Sequence, residues 1–195
     1  MAGPERAESR LMLKHWRRFR GDKRLPFRED IRLGDLTEFT PHIFVLDIEG
    51  DDRFIIRRLG SAVVERFGGL ELTGVNLLDL THPALRDRVI ARVRMIFEFG
   101  YAACTHMGVP SMNGRVKRSE NLMLPVESST GEFRQVFGTL YYVDGPDETA
   151  LHTLNSQAVA VVDESFIDLG SGYAAIIDAS ELPLSAFPGK PNPET

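Results

Sequence analysis

The order in which the hydrophobic periodicity changes along the chain constrains the fold most tightly. Two short runs of branched and aromatic residues, His42 to Ile48 (HIFVLDI) and Phe54 to Leu59 (FIIRRL), flank the turn Gly50-Asp51-Asp52. This pattern predicts an antiparallel hairpin. Gly60 follows, then a short helix from Ser61 to Phe67 with Ser61 as its expected N-cap, broken by Gly68-Gly69. Leu72 to Leu80 reads as a loop with one helical turn. From Pro83 to Phe99 the period is 3.6: Leu85, Val89, Val93, Ile96 and Phe97 fall on one face, Pro83 suits the first helical position and Gly100 ends the run. Arg86, Arg88, Arg92 and Arg94 fill much of the remaining surface and read as a solvated face rather than an anion site. Three strand-like stretches follow, Tyr101 to Val109, Val116 to Glu127 and Phe133 to Val143, separated by segments rich in Gly, Ser, Pro and Asn. Strand–strand, helices, then three strands predicts an α+β domain: a five-stranded antiparallel sheet with its helices packed on one face. Neither face of the last strands is cleanly polar, so both faces are expected to be covered.

Ahead of this body lies a separate amphipathic segment. Ala7 to Phe19 contains no Gly or Pro, and Leu11, Met12, His15, Trp16 and Phe19 recur at spacings of three and four. Lys14, Arg17, Arg18 and Arg20 lie beside them, and Gly21 closes the pattern. Asp30 to Phe39 reads as a short turn or helix stopped by Pro41. The expected organisation is an N-terminal helix over 1–24, a body over 25–145 and a C-terminal extension over 146–195, partly disordered at its Pro-rich end. Charge follows the same division. Residues 1–30 carry nine basic and five acidic side chains, whereas residues 144–195 carry one and nine. Residues 150–162 are apolar enough to dock on the body as a helix or strand.

The chain's net charge of −5 and the absence of a recognition-helix pair argue against a nucleic-acid binder. The single cysteine, Cys104, excludes an internal disulfide and fits a reducing compartment. Met1 to Arg10 lacks the apolar core of a signal peptide, and no apolar run reaches the about 18 residues of a membrane span, so the expectation is a soluble, cytoplasmic protein with no membrane partner. Chemistry-bearing motifs are sparse. His15, His42, His82, His106 and His152 are scattered, and no Cys/His or His/Glu pair has zinc-site spacing, so no metal is expected. Gly170-Ser171-Gly172 is too short for a phosphate loop. No nucleophile elbow or kinase signature is present, and no catalytic residue is assigned.

The element order over about residues 26–144 resembles a PAS domain. More narrowly the chain resembles a bacterial family of single-domain PAS proteins, through His15-Trp16-Arg17, Leu25-Pro26-Phe27-Arg28-Glu29-Asp30-Ile31, Arg58-Leu59-Gly60, Phe67-Gly68, Leu72-Thr73-Gly74 and Val136-Phe137-Gly138. Phe166-Ile167-Asp168-Leu169-Gly170-Ser171-Gly172 is also family-like. The resemblance implies a sensor or protein–protein module with a pocket between helices and sheet. The cofactor it implies is unknown, and two classes are disfavoured. Adduct-forming flavin needs a reactive cysteine in an Asn-Cys-Arg type motif, and Thr73 to Leu80 offers Asn76 but no cysteine. Haem sensing in such domains commonly uses a histidine on the long helix, which has none; His82 precedes it and reads as a loop or cap residue. Cys104, alone on a strand, reads as a small core residue.

His42, Arg57, Tyr101, His106, Glu120 and Gln135 are the candidate pocket residues, because a polar side chain buried among apolar neighbours needs a partner in the protein or in a ligand. The function these readings imply is a non-enzymatic sensor or adaptor of bacterial signalling that binds a small molecule or a partner and acts through another protein. The alternative is a small enzyme using the same pocket as a substrate cup, to be recognised by ionisable side chains converging on one point. Met12, Trp16 and Phe19 are candidates for a homodimer interface: their stripe must be covered by the chain's own sheet or by a second copy. The resemblance to PAS domains, whose flanking helices often pack across a twofold axis, implies the second, so a homodimer is expected.

Overall fold

A computed structural model describes residues 3–110, 116–143, 160–169 and 176–178. Helix α1 (Ala7–Arg20) is followed by a 3-10 segment over Leu33–His42 and the hairpin β1 (Ile43–Ile48) and β2 (Phe54–Leu59). Helices α2 (Ser61–Arg66), α3 (Leu77–Leu80) and α4 (Pro83–Phe99) precede β3 (Tyr101–Pro110), β4 (Val116–Glu127) and β5 (Arg134–Tyr142). Two further strands, β6 (Ala160–Asp168) and β7 (Ile176–Asp178), complete one antiparallel sheet in the order β2-β1-β5-β4-β3-β6-β7. The α+β class stands as expected. The sheet, however, has seven strands rather than five, because β6 pairs with the otherwise open edge of β3 and so satisfies its backbone donors and acceptors. The Pro-rich end and most of the acidic extension lie outside the described residues.

Helix boundaries follow local chemistry. His82 caps α4, its Nδ1 accepting from the Ala84 N–H, and Gly100 ends the helix in the left-handed conformation at φ 70°. Asn76 caps α3 by accepting from the Leu78 N–H, and the same oxygen also accepts from the Phe54 N–H of β2. The expected cap at Ser61 is corrected: Gly60 is the N-cap, and Ser61 is the first helical residue. The 3-10 segment runs through Pro41 rather than stopping before it. Gly60 is required by close approach. A Cβ there would lie 2.2 Å from the Thr40 carbonyl oxygen and 2.4 Å from that of Pro41. Both obstacles are backbone, so Gly60→Ala is expected to destabilise by about 1–3 kcal/mol through overpacking, measured as a lower urea midpoint. An unchanged midpoint would mean that this corner opens freely. Gly138 serves differently: the Phe44 ring lies on it, where a Cβ would come within 2.0 Å.

The sheet is covered on both faces, as its mixed polarity predicts. On one face α3 and α4 enclose Leu46, Phe54, Ile56, Val93, Ile96, Phe97, Met123, Val136 and Phe166. On the other, α1 and the 3-10 segment enclose Val45, Cys104, Leu122, Leu124 and Phe137. Helices therefore occupy both faces, not one. The α1 stripe faces the chain's own sheet. Met12 and Trp16 are 0% exposed and Phe19 is 9% exposed, and the Trp16 and Phe137 rings lie 5.9 Å apart. Met12, Trp16 and Phe19 are thus core residues of the folded chain and leave no apolar stripe open to a second copy. This arrangement arises because the outer face of β4 and β5 is itself apolar and needs cover.

Candidate functional site

Strand register brings two of the candidate residues together. His106 on β3 stands opposite Glu120 on β4, and both side chains point to the face that α1 covers. His106 Nε2 lies 3.0 Å from Glu120 Oε2, and both residues are 0% exposed. Cys104, two residues before His106 and equally buried, turns to the same face. The donor atoms of Cys104, His106 and Glu120 all lie within 4.8 Å of one another.

The roof of this cluster is the segment leading into α1. Glu120 accepts the backbone N–H groups of Glu5 and Arg6, so its negative charge sits at the positive end of the helix dipole. Glu5 in turn pairs with Arg118 at 2.7 Å, and the Arg6 guanidinium lies over the Tyr141 ring at 5.5 Å. The Arg10 side chain donates to the Pro4 and Glu5 carbonyls. Thus a buried carboxylate on the central sheet fixes the start of the first helix.

The other candidates disperse. His42 stacks on Tyr141 at 4.3 Å between ring centroids, its Nδ1 3.2 Å from the Leu140 carbonyl oxygen. Tyr101 belongs to the core beneath α4, between Phe99 and Phe166. Gln135 donates to Asp47 Oδ1 at 2.6 Å, and Arg57, largely in solvent, lies 3.7 Å from the same carboxylate. These last two line an open depression of about 760 Å³ at the far end of the sheet, with Glu49, Glu127 and Arg134. The six residues therefore do not form one pocket.

Sequence reasoning missed Cys104, Glu5 and Arg118 as members of the His106–Glu120 cluster. The available signal was Cys-x-His on one strand with a glutamate on the next, which becomes a cluster only in the register actually formed. It also missed Glu164, a buried carboxylate on β6 that Arg88 engages at 2.8 Å and that Arg92 engages still more closely, joining the added strand to α4.

Both buried glutamates sit below their ordinary value of 4.5. For Glu120, burial works upward, and the hydrogen bonds from His106 and from the Glu5 and Arg6 backbone outweigh it. For Glu164, burial again works upward, and Arg92 and Arg88 outweigh it. A depressed folded-state pKa means that the unfolded chain binds more protons across the window between the two values. The stability these groups contribute is present in full above the ordinary glutamate value and is lost as pH falls through the folded values. Unfolding free energy is therefore expected to be level near neutrality and to fall with acid, with a shallower fall in Glu164→Gln. Identical acid profiles for wild type, Glu120→Gln and Glu164→Gln would refute both assignments.

Comparison with known proteins agrees with the fold. Residues 5–141 match the family model PAS_5, described as a PAS domain. The chain belongs to this PAS-domain family, and PAS domains are in general sensory modules. The match begins just before α1, so the helix lies within the matched region. No curated protein matches the chain. Among solved structures, the PAS domain of BvgS from Bordetella pertussis aligns with a TM-score of 0.43 and 20% identity, over 58% of this chain and 85% of that one. VqmA of Vibrio cholerae, solved with ligand and DNA, aligns with a TM-score of 0.41 and 15% identity, over 58% of this chain and 52% of that one. A sensory box sensor histidine kinase from Vibrio cholerae aligns with a TM-score of 0.37 and 14% identity, over 57% and 87%. Among the described residues no helix is long and apolar enough to cross a membrane.

Proposed function

We propose that this chain is a non-enzymatic PAS sensor or adaptor that signals by releasing or retaining α1, and that its output is exerted through another protein. The observation that carries this reading is the attachment of α1. Its entry is held by one buried carboxylate, Glu120, and its apolar stripe lies on the sheet face opposite α4. An element fastened in this way has two discrete positions, docked and released, and any ligand or partner that favours one of them shifts the population. Self-association belongs to the released position, in which Met12, Trp16 and Phe19 become available to a second copy.

The enzyme reading gains one observation, the convergence of His106 and Glu120. Yet the pair lies under the start of α1, with Glu120 committed to backbone N–H groups. A substrate would reach it only after the helix had left. The signalling reading needs no such access.

The test is complementation of a deletion strain. Glu120→Gln, which loosens the helix, is expected to fix the cellular output at one extreme irrespective of stimulus, while the wild-type chain restores the response. A Glu120→Gln chain that responds like wild type would overturn the proposal. Protein purified from cells is expected to show neither a Soret band nor a flavin spectrum, and either signal would overturn the expectation that haem and flavin are not used. Mass spectrometry of the native protein would identify a co-purifying metabolite.

A further inference from the structure

We propose that Cys104, His106 and Glu120 form a binding site for a divalent transition cation of the zinc type. The inference is independent of the signalling reading. It rests on a donor set that is unusual for a protein core. A thiol, an imidazole and a carboxylate, each 0% exposed, have donor atoms within 4.8 Å of one another. In a tetrahedral zinc site, bonds of about 2.0–2.3 Å place neighbouring donors about 3.3–3.6 Å apart. The His106–Glu120 separation of 3.0 Å is already near that range, and small side-chain rotations bring in the thiol.

The second argument concerns charge. A thiolate and a carboxylate with a neutral imidazole carry two negative charges, which a divalent cation cancels. A neutral complex is what a site withdrawn from water tolerates. Glu120 can serve both the cation and the helix. Its Oε2 accepts the Glu5 N–H and faces His106, whereas Oε1 lies 3.4 Å from the Arg6 N. The fourth position falls to a water molecule, which keeps the complex neutral, because Glu5, whose Oε1 lies 3.8 Å from His106 Nε2, is held by Arg118 at 2.7 Å. Softness supports the assignment: a thiolate and an imidazole select zinc-like ions over magnesium or calcium. In proton terms, binding replaces the thiol hydrogen with the cation and releases one proton per ion. His106 binds as the Nδ1–H tautomer, so its proton is moved and not lost.

The experiment uses the full chain, stripped with chelator and titrated with cobalt(II) as a spectroscopic substitute and then with zinc. The expected result is one cobalt per chain, with the visible bands of tetrahedral cobalt and a near-ultraviolet thiolate-to-cobalt band, all abolished by one equivalent of zinc. Because Cys104 is the chain's only cysteine, the thiolate band assigns the site even if a variant fails to fold. Where the variants fold, Cys104→Ser removes that band, and Cys104→Ser and His106→Gln each weaken zinc binding at least about 100-fold, the upper end of what losing a mere supporting partner costs. His15→Gln, at a histidine of α1 that packs on Phe39 and is no part of the donor set, leaves affinity unchanged. Absence of a thiolate band in the wild-type chain, or zinc binding that survives both substitutions, would overturn the proposal.

Discussion

Replacing Glu120 with alanine is expected to cost about 3–5 kcal/mol of folding free energy, the range for removing one partner from a buried charged network. The cost arises from what is left behind. The His106 ring loses its acceptor in the core, where an unsatisfied group costs about 1–3 kcal/mol, and the Glu5 and Arg6 N–H groups lose theirs at the part-buried entry of α1. Glu120→Gln should cost less, because the amide oxygen still accepts one N–H while the charge at the helix N-terminus is gone. The loss should be local before it is global. Backbone amides of residues 5–20 should exchange hydrogen faster than those of β4 and β5, which remain paired across the sheet centre. Urea unfolding and hydrogen exchange check both statements. A loss under about 1 kcal/mol with unchanged exchange over α1 would show that the apolar stripe alone holds the helix.

The fold was legible in the sequence wherever a period or a punctuating residue marks it. Pro83 and Gly100 bound α4 at the residues expected, and the β2 run ends at Leu59 because Gly60 must pass against the Thr40 and Pro41 carbonyls. Partner choice was not legible. The α1 stripe declares that Met12, Trp16 and Phe19 must be buried, but apolar area carries no address. Only the assembled face of Val45, Leu122, Leu124 and Phe137 shows where the stripe goes. The same limit applies to β6. Residues 150–162 read as apolar enough to dock on the body, yet the pairing of β6 with β3 depends on an edge that exists only once the hairpins have formed.

The site was half legible for a related reason. His106 and Glu120 each stand out as polar residues in apolar strands, but their pairing is a matter of register between β3 and β4. A slip of one residue would turn Glu120 to the α4 face and leave His106 opposite an asparagine or a serine. Cys104 is legible only as a small buried side chain until the strand places it two positions from His106 on the same face. Arg57 and Gln135 were recognised individually for the same polar character, and the fold carries them to the opposite end of the sheet.

Trp16→Ala is the complementary test, and it is expected to be as costly, about 3–5 kcal/mol for a large aromatic side chain removed from a core. Trp16 is wholly buried, packs on Phe137 and Phe19 and sits in the middle of α1. Its removal takes away the centre of the contact while leaving the Glu120 tether in place, so the helix is held at its start but no longer along its length. The face beneath, with Leu122, Leu124 and Phe137, then becomes intermittently exposed, a contiguous apolar surface of the kind that recruits another molecule. The expected outcome is therefore a change of mass as well as of stability. Wild-type chain at micromolar concentration should scatter as a monomer, whereas Trp16→Ala and a deletion of residues 1–22 should both associate. The sign is diagnostic. If α1 built the interface of a constitutive dimer, the deletion would turn a dimer into a monomer; if α1 covers its own sheet, the deletion turns a monomer into an oligomer. A full-length dimer that dissociates when residues 1–22 are removed would overturn the intramolecular docking of the helix and, with it, the release mechanism proposed for signalling.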